Sequence, residues 1–284
     1  MNRILCSTGA LIGRPNGRDY TLLNECAKRL DCDGFEFMMY DDWYDKADEI
    51  ATFLRDFPKP FPVFHVEKNV GDLISRNESG DTEKALELFE INCVLAQKIG
   101  AEKLVLHLWS GLDSDKDFPH NIEVYKYVRE IAERYRLMLT IENVVCNNSD
   151  PMTHLADLAE VYPDISFTFD TKMAEFHGQL SELYDEKNRY IWVRVAHMHI
   201  NDYKGGYKDW SSLKTLHIGD GQIDFERFFG FVKCMGYTGD LTIESTSFDN
   251  TGVIDFERMN QSIRIIREYK EQQQEYGVIG MRYK

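Results

Sequence analysis

No apolar run in the sequence approaches the ~20 residues that a membrane helix needs, which excludes a helical span. The charge, apolar core and cleavage site of a signal peptide are also missing. Met1-Asn2-Arg3-Ile4-Leu5-Cys6 leads straight into a strand-like segment, so the expected location is the cytoplasm. Cysteine is sparse and scattered. Cys6, Cys26, Cys32, Cys93, Cys146 and Cys234 form no C-x-x-C pair, which points to free thiols in a reducing compartment and away from a zinc cluster. Basic residues are in deficit, 33 Lys and Arg against 48 Asp and Glu, for a net charge of −15. A surface this acidic repels phosphate backbones, so a small-molecule substrate is expected and a nucleic-acid partner is not. There is no linker, low-complexity segment or charge block. No Gly-x-Gly-x-x-Gly follows the first strand-like run, which argues against an open dinucleotide-binding sheet.

What is present is a regular alternation. Strand-like runs fall at Arg3–Thr8, Gly34–Met39, Pro62–Val66, Lys103–Leu108, Met138–Glu142, Ser166–Asp170, Val195–Ile200 and Asp240–Glu244. They are short and apolar, as parallel strands buried on both faces are. Helical patterns lie between them. Ala85, Leu88, Phe89, Asn92, Leu95 and Ile99 share one helical face that Gly100 ends, and Met259, Ile263 and Ile266 mark the last helix. Pro119, Pro151 and Pro163 are read as lying in connections. Eight strand–helix units over 284 residues predict an α/β fold closed into a (β/α)8 TIM barrel, which typically takes about 250 residues. The expectation is one domain, 1–284, with a C-terminal extension at about 271–284 that packs under the barrel or against a second subunit. The loop Tyr203–Leu213 is expected to border or cover the cavity.

The strand ends carry the chemistry. Glu142 closes Leu139-Thr140-Ile141-Glu142, Asp170 closes Phe167-Thr168-Phe169-Asp170, and Glu244 closes Leu241-Thr242-Ile243-Glu244. Taken singly, each is open to a plain reading: a solvated loop acid, or for Asp170 an N-cap. His197 and His199 sit two apart in His197-Met198-His199-Ile200-Asn201-Asp202 and so face one way. A barrel gathers such ends around one cavity, and three carboxylates with a histidine form an oxygen-rich site for a divalent cation. His199 is the better ligand of the two histidines. Glu36, His65 and His107 (followed by Trp109) occupy the same cavity end of other strands and are candidate substrate contacts. Lys172, Glu175 and His177 follow Asp170. His217 opens the turn His217-Ile218-Gly219-Asp220-Gly221, with Asp224 as a helix N-cap beyond it.

These segments, with Phe64-His65, Leu106-His107 and Gly219–Phe225, resemble the xylose-isomerase-like TIM-barrel superfamily of sugar phosphate isomerases and epimerases along nearly the whole chain. The resemblance implies one divalent ion (Mn²⁺, Mg²⁺, Co²⁺ or Zn²⁺) held by Glu142, Asp170, His199 and Glu244. Glu142 and Glu244 would form the acid/base pair, working through an enediolate of a sugar or sugar phosphate. Substrate contacts are expected from Glu36, His65, His107, Trp109, Lys172, His197 and His217. Dehydratases and zinc-dependent apurinic endonucleases share the superfamily and are alternatives, as is a non-catalytic sugar-binding barrel. The endonuclease pattern departs at Met173, where it has histidine, and at Thr215-Leu216-His217, where it has Asp-x-His. A homo-oligomer stays open, because dimers and tetramers are common among barrels of this group.

Overall fold

Residues 3–280 are described by a computed structural model of the chain. Eight parallel strands follow one another around a closed sheet: β1 (Ile4–Ser7), β2 (Gly34–Met38), β3 (Val63–His65), β4 (Lys103–Leu106), β5 (Met138–Glu142), β6 (Ser166–Asp170), β7 (Val195–Ile200) and β8 (Asp240–Ile243). β8 pairs with β1, with Leu5 opposite Thr242, and closes the cylinder. The fold is a (β/α)8 TIM barrel. Every expected strand is present, several trimmed by one or two residues where the chain turns into a loop.

The helices are α1 (Leu23–Arg29), α2 (Ala47–Leu54), α3 (Asn69–Arg76), α4 (Asp81–Lys98), α5 (Phe118–Arg134), α6 (Pro151–Val161), α7 (Thr171–Phe176), α8 (Arg189–Trp192), α9 (Phe225–Cys234) and α10 (Phe256–Gly280). Ala85, Leu88, Phe89, Asn92 and Leu95 are buried on α4. Gly100, at φ +79°, supplies the left-handed turn that leaves the helix. Two of the three prolines are not in connections. Pro119 and Pro151 lie in the first turns of α5 and α6, where a missing N–H costs nothing. Met259, Ile263 and Ile266 are buried on α10. The backbone of that helix runs on to Gly280, through most of the expected extension. Residues 281–284 of the extension lie outside the described residues. All six cysteines are free. Among the described residues no helix is long and apolar enough to cross a membrane.

The strands are apolar on one face only. Outward side chains such as Phe35, Phe37, Ile141, Phe167, Phe169, Met198 and Ile243 are buried in the main core beneath the helices. Each contributes about 1.5–3 kcal/mol by leaving water. The inward positions alternate with these and are largely polar. Leu5, Val63 and Val105 form a separate small apolar cluster, and Thr140 and Thr168 join Oγ1 to Oγ1 at 2.7 Å. At the N-terminal end Asp240 takes Arg3 Nε at 2.9 Å and Lys103 Nζ at 2.9 Å. β4 and β8 are not neighbours, so this pair spans the floor of the barrel.

Candidate metal centre

At the C-terminal end the backbone ladder gives way to two asparagines. Asn143 accepts the Asp170 N–H (2.6 Å) and donates to the Asp170 carbonyl (3.1 Å), tying the end of β5 to that of β6. Asn201 accepts the Glu244 N–H (3.1 Å) and donates to Asp170 Oδ2 (2.9 Å), tying β7 to β6 and β8. These bonds fix the three acids. Asp170 also accepts the Met173 N–H at 2.8 Å and caps α7, so it is an N-cap and a candidate ligand at once.

Glu142, Asp170, His199 and Glu244 each offer an atom, and these four atoms lie within 4.8 Å of one another. His199 Nδ1 is 3.0 Å from Glu142 Oε1, 3.5 Å from Glu244 Oε2 and 3.9 Å from Asp170 Oδ2. The other ring nitrogen, Nε2, faces Glu36 at 3.1 and 3.2 Å. A hydrogen donated there leaves the Nδ1 lone pair pointing into three carboxylates, an arrangement that needs a positive charge among them. Glu142 Oε2 reinforces the point. It is buried 2.8 Å from His107 Nε2 and 3.4 Å from His65 Nε2, yet makes no aligned hydrogen bond. Three carboxylate oxygens with one imidazole nitrogen suit Zn²⁺, Mn²⁺ or Mg²⁺.

The electrostatics agree. Burial raises the Asp170 carboxyl, and Glu142 and Glu244 add to the rise against Lys172, taking it up to about 6. Burial works against the charge on Glu142, but His199 and His107 outweigh it and hold the carboxyl well below its usual range. For His199 burial is likewise overcome, by Glu244, Glu36 and Glu142, and the imidazole is raised well above its ordinary value. A proton on Nδ1 thus does for the metal-free cluster part of what a cation would do.

The cluster floors a cavity of about 620 Å³, the size of a small-molecule site. Glu142, Glu244, His65, His107 and Lys172 line it, joined by Ser7, Tyr40, Met173, Thr215 and Thr246. The other expected substrate contacts do not reach its wall. Glu36 and His197 are fully buried beneath the cluster, with Glu36 Oε2 2.8 Å from His197 Nε2. Glu36 is spent on orienting the two histidines. Trp109 points away, packed on Phe118 and His154, its Nε1 donating to the Val144 carbonyl at 3.0 Å. His217 sits between Ser262 Oγ (2.8 Å) and Ser247 Oγ (3.1 Å). The loop 203–213 does not border the cavity either. It lies against α7, with Trp210 edge-on to Phe176 and the Lys208 N–H on the Phe176 carbonyl. Asp202, from the same motif as His199, gathers the N–H groups of Tyr203, Gly219, Gly221 and Ile223. A Cβ on Gly221 would fall 2.3 Å from its carboxylate, which explains the glycine.

The family model described as xylose isomerase-like TIM barrel matches residues 25–269. The chain belongs to this family. An uncharacterised protein of Methanocaldococcus jannaschii, MJ1311, is 28% identical over 187 residues, which cover 62% of this chain and 59% of that protein. The match therefore spans about three fifths of that relative's length. A D-tagatose 3-epimerase-like protein superposes with a TM-score of 0.72 at 20% identity, over 96% of this chain and 99% of that one. The IolI protein, solved with a binding zinc atom, superposes with a TM-score of 0.74 at 13% identity, over 95% and 99%. At these identities the likeness speaks for the fold. Within this xylose isomerase-like barrel, Asn143 and Asn201 join Glu36 in positioning the cluster without entering it. The signal of the two asparagines in the sequence was their place directly after Glu142 and Ile200.

Proposed function

We propose that the chain is a metal-dependent isomerase or epimerase of a sugar or related polyol. The observation that supports this most is the convergence of Glu142, Asp170, Glu244 and His199 Nδ1 at the floor of the cavity, with His199 turned by Glu36. Those four residues would hold one divalent ion, Mn²⁺, Mg²⁺, Co²⁺ or Zn²⁺. When bound, such an ion supplies Lewis-acid stabilisation of charge developing on the substrate oxygens. Glu142 and Glu244 both line the cavity and can each take or return a proton at the carbon beside the carbonyl. Return to the neighbouring carbon gives isomerisation, and return to the same carbon from the other face gives epimerisation. The known epimerase-like relative of the same fold adds support.

The test has two parts. Metal analysis after dialysis against EDTA and reloading should find one tightly held divalent ion per chain. Ketoses incubated with the loaded protein in D₂O should exchange the proton next to the carbonyl, read by NMR. Retention of an ion without exchange on any of a broad ketose panel would remove the isomerase reading.

A second reading rests on a separate observation. His65, His107 and Glu142 form another group whose ligand atoms lie within 4.8 Å of one another. A second ion there would take up Glu142 Oε2 and favour hydrolytic chemistry like that of the endonucleases. Two ions per chain, with nicking of abasic-site DNA, would decide for it.

A further inference from the structure

We propose that the cavity takes a substrate carrying an anionic group, a carboxylate or a phosphate, and that Lys172 holds that group. The proposal rests on the isomerase or epimerase reading of the same site and narrows its substrate class. Lys172 is the second residue of α7, only 6% exposed, and lines the cavity. Among the described residues its ammonium makes no hydrogen bond and no ion pair within 4 Å. The ammonium opens on the cavity, where no protein acceptor answers its charge. Lys103 shows the ordinary solution in this molecule, with Asp240 2.9 Å away. Asp170, two residues before Lys172, is already engaged: Oδ1 by the Met173 N–H and Oδ2 by Asn201.

The three N–H donors of Lys172 therefore look to the cavity for acceptors. A neutral hydroxyl would meet the hydrogen bond and leave the charge. An oxyanion answers both. Arg14 and Lys68 line the same cavity and also lack a side-chain partner among the described residues, whereas Arg18 is tied to Asp41 and Asp42. Of the wall acids outside the metal cluster, Glu67 is engaged by Tyr44 and the Asn69 N–H, and Asp72 stands free. Of these three cations without side-chain partners on the wall, Arg14 and Lys68 are exposed and Lys172 alone is buried among protein groups. An anion repelled by the protein as a whole needs such local attraction to enter.

The experiment measures binding to the full chain by calorimetry, before and after Mn²⁺ loading. The probes are D-fructose, D-fructose 6-phosphate and 5-keto-D-gluconate. At least one anionic probe should bind roughly tenfold more tightly than D-fructose, and in Lys172→Met that preference should vanish. Lys172→Gln serves as a second variant, and melting curves check that both fold. Which anion gains tells phosphate from carboxylate. D-fructose binding as tightly as both anions, or all three probes weakening alike in both variants, would overturn the proposal. A wild-type protein that takes up none of Mn²⁺, Mg²⁺, Co²⁺ and Zn²⁺ but still prefers an anion through Lys172 would instead defeat the isomerase reading and leave this one standing.

Discussion

The two ends of the barrel interior both hold buried acid, Asp240 at one and a cluster of three at the other, and they neutralise it differently. At the N-terminal floor Asp240 meets Arg3 and Lys103, and Arg3 also reaches Glu102 at 2.8 Å. Two acids face two permanent cations, and the cluster closes on itself. At the C-terminal end Glu142, Asp170 and Glu244 meet one histidine, and among the described residues no Lys or Arg lies within ion-pair distance of them. The same side-chain chemistry holds the cylinder shut at one end and leaves the acids at the other beside a single imidazole. What separates the two ends is where the opposite charge comes from.

The comparison breaks first if the upper acids are passive. Glu142→Gln and Glu244→Gln should each lower kcat by roughly 10²–10⁴-fold while the circular dichroism stays unchanged. Near-normal turnover in both variants would make the upper end another structural cluster. At the floor the effect should fall on stability. Asp240→Asn leaves Lys103, 14% exposed, without its partner, and should cost about 3 kcal/mol in urea unfolding, with no recovery on adding divalent ions. Recovery with Mn²⁺ would mean that the two ends are coupled.

Glu36→Gln should weaken metal affinity by about 10–100-fold without removing a ligand, since Glu36 acts through His199. Competition with a chelator dye measures this. The smallest effect concerns pH, and its sign should be opposite at the two ends. Arg3 and Lys103 outweigh burial and hold the Asp240 carboxyl far down, so its stabilisation is present above about pH 4 and lost as pH falls. Asp170 is raised to about 6. In the metal-free protein its contribution is fullest below about pH 4 and is lost as pH rises through 6. The stability of metal-free Asp170→Asn relative to wild type should therefore rise by about 1–2 kcal/mol from pH 4 to pH 7.5, on top of a fixed cost for setting an amide NH₂ against the Asn201 donor. Urea midpoints across that range test the sign, and a difference that does not move with pH would contradict it.

The fold was legible because the strand runs are short, evenly spaced and bounded by helical patterns. The reading of strands apolar on both faces missed a finer signal, the period-two polar residues. Glu36, Thr140, Thr168, His197 and Thr242 interrupt apolar runs because the interior of this barrel is polar. The convergence of the strand-end acids was readable once closure was assumed. The bond from Glu36 to His199 was not, because it joins residues 163 apart in sequence and only closure makes them neighbours. The sequence suggests Trp109 as a substrate contact because it follows His107, and His217 because the glycine turn leaves it without a structural role. Their directions depend on loop geometry, and each turns to a local hydrogen-bond partner. Lys172 was visible as a residue but not as a problem, since its lack of an acceptor exists only in three dimensions.

Leu5, Val63 and Val105 meet inside the cylinder, apart from the rest of the core. They share the middle of the cylinder with Thr140, Thr168 and Thr242, the first two joined hydroxyl to hydroxyl and the third bonded to His197. The layer between the floor pair and the upper acids thus mixes greasy and hydroxyl side chains. Trimming Leu5 or Val105 should loosen packing alone, whereas removing the Thr242 hydroxyl touches His197 and, through Glu36, the imidazole above it.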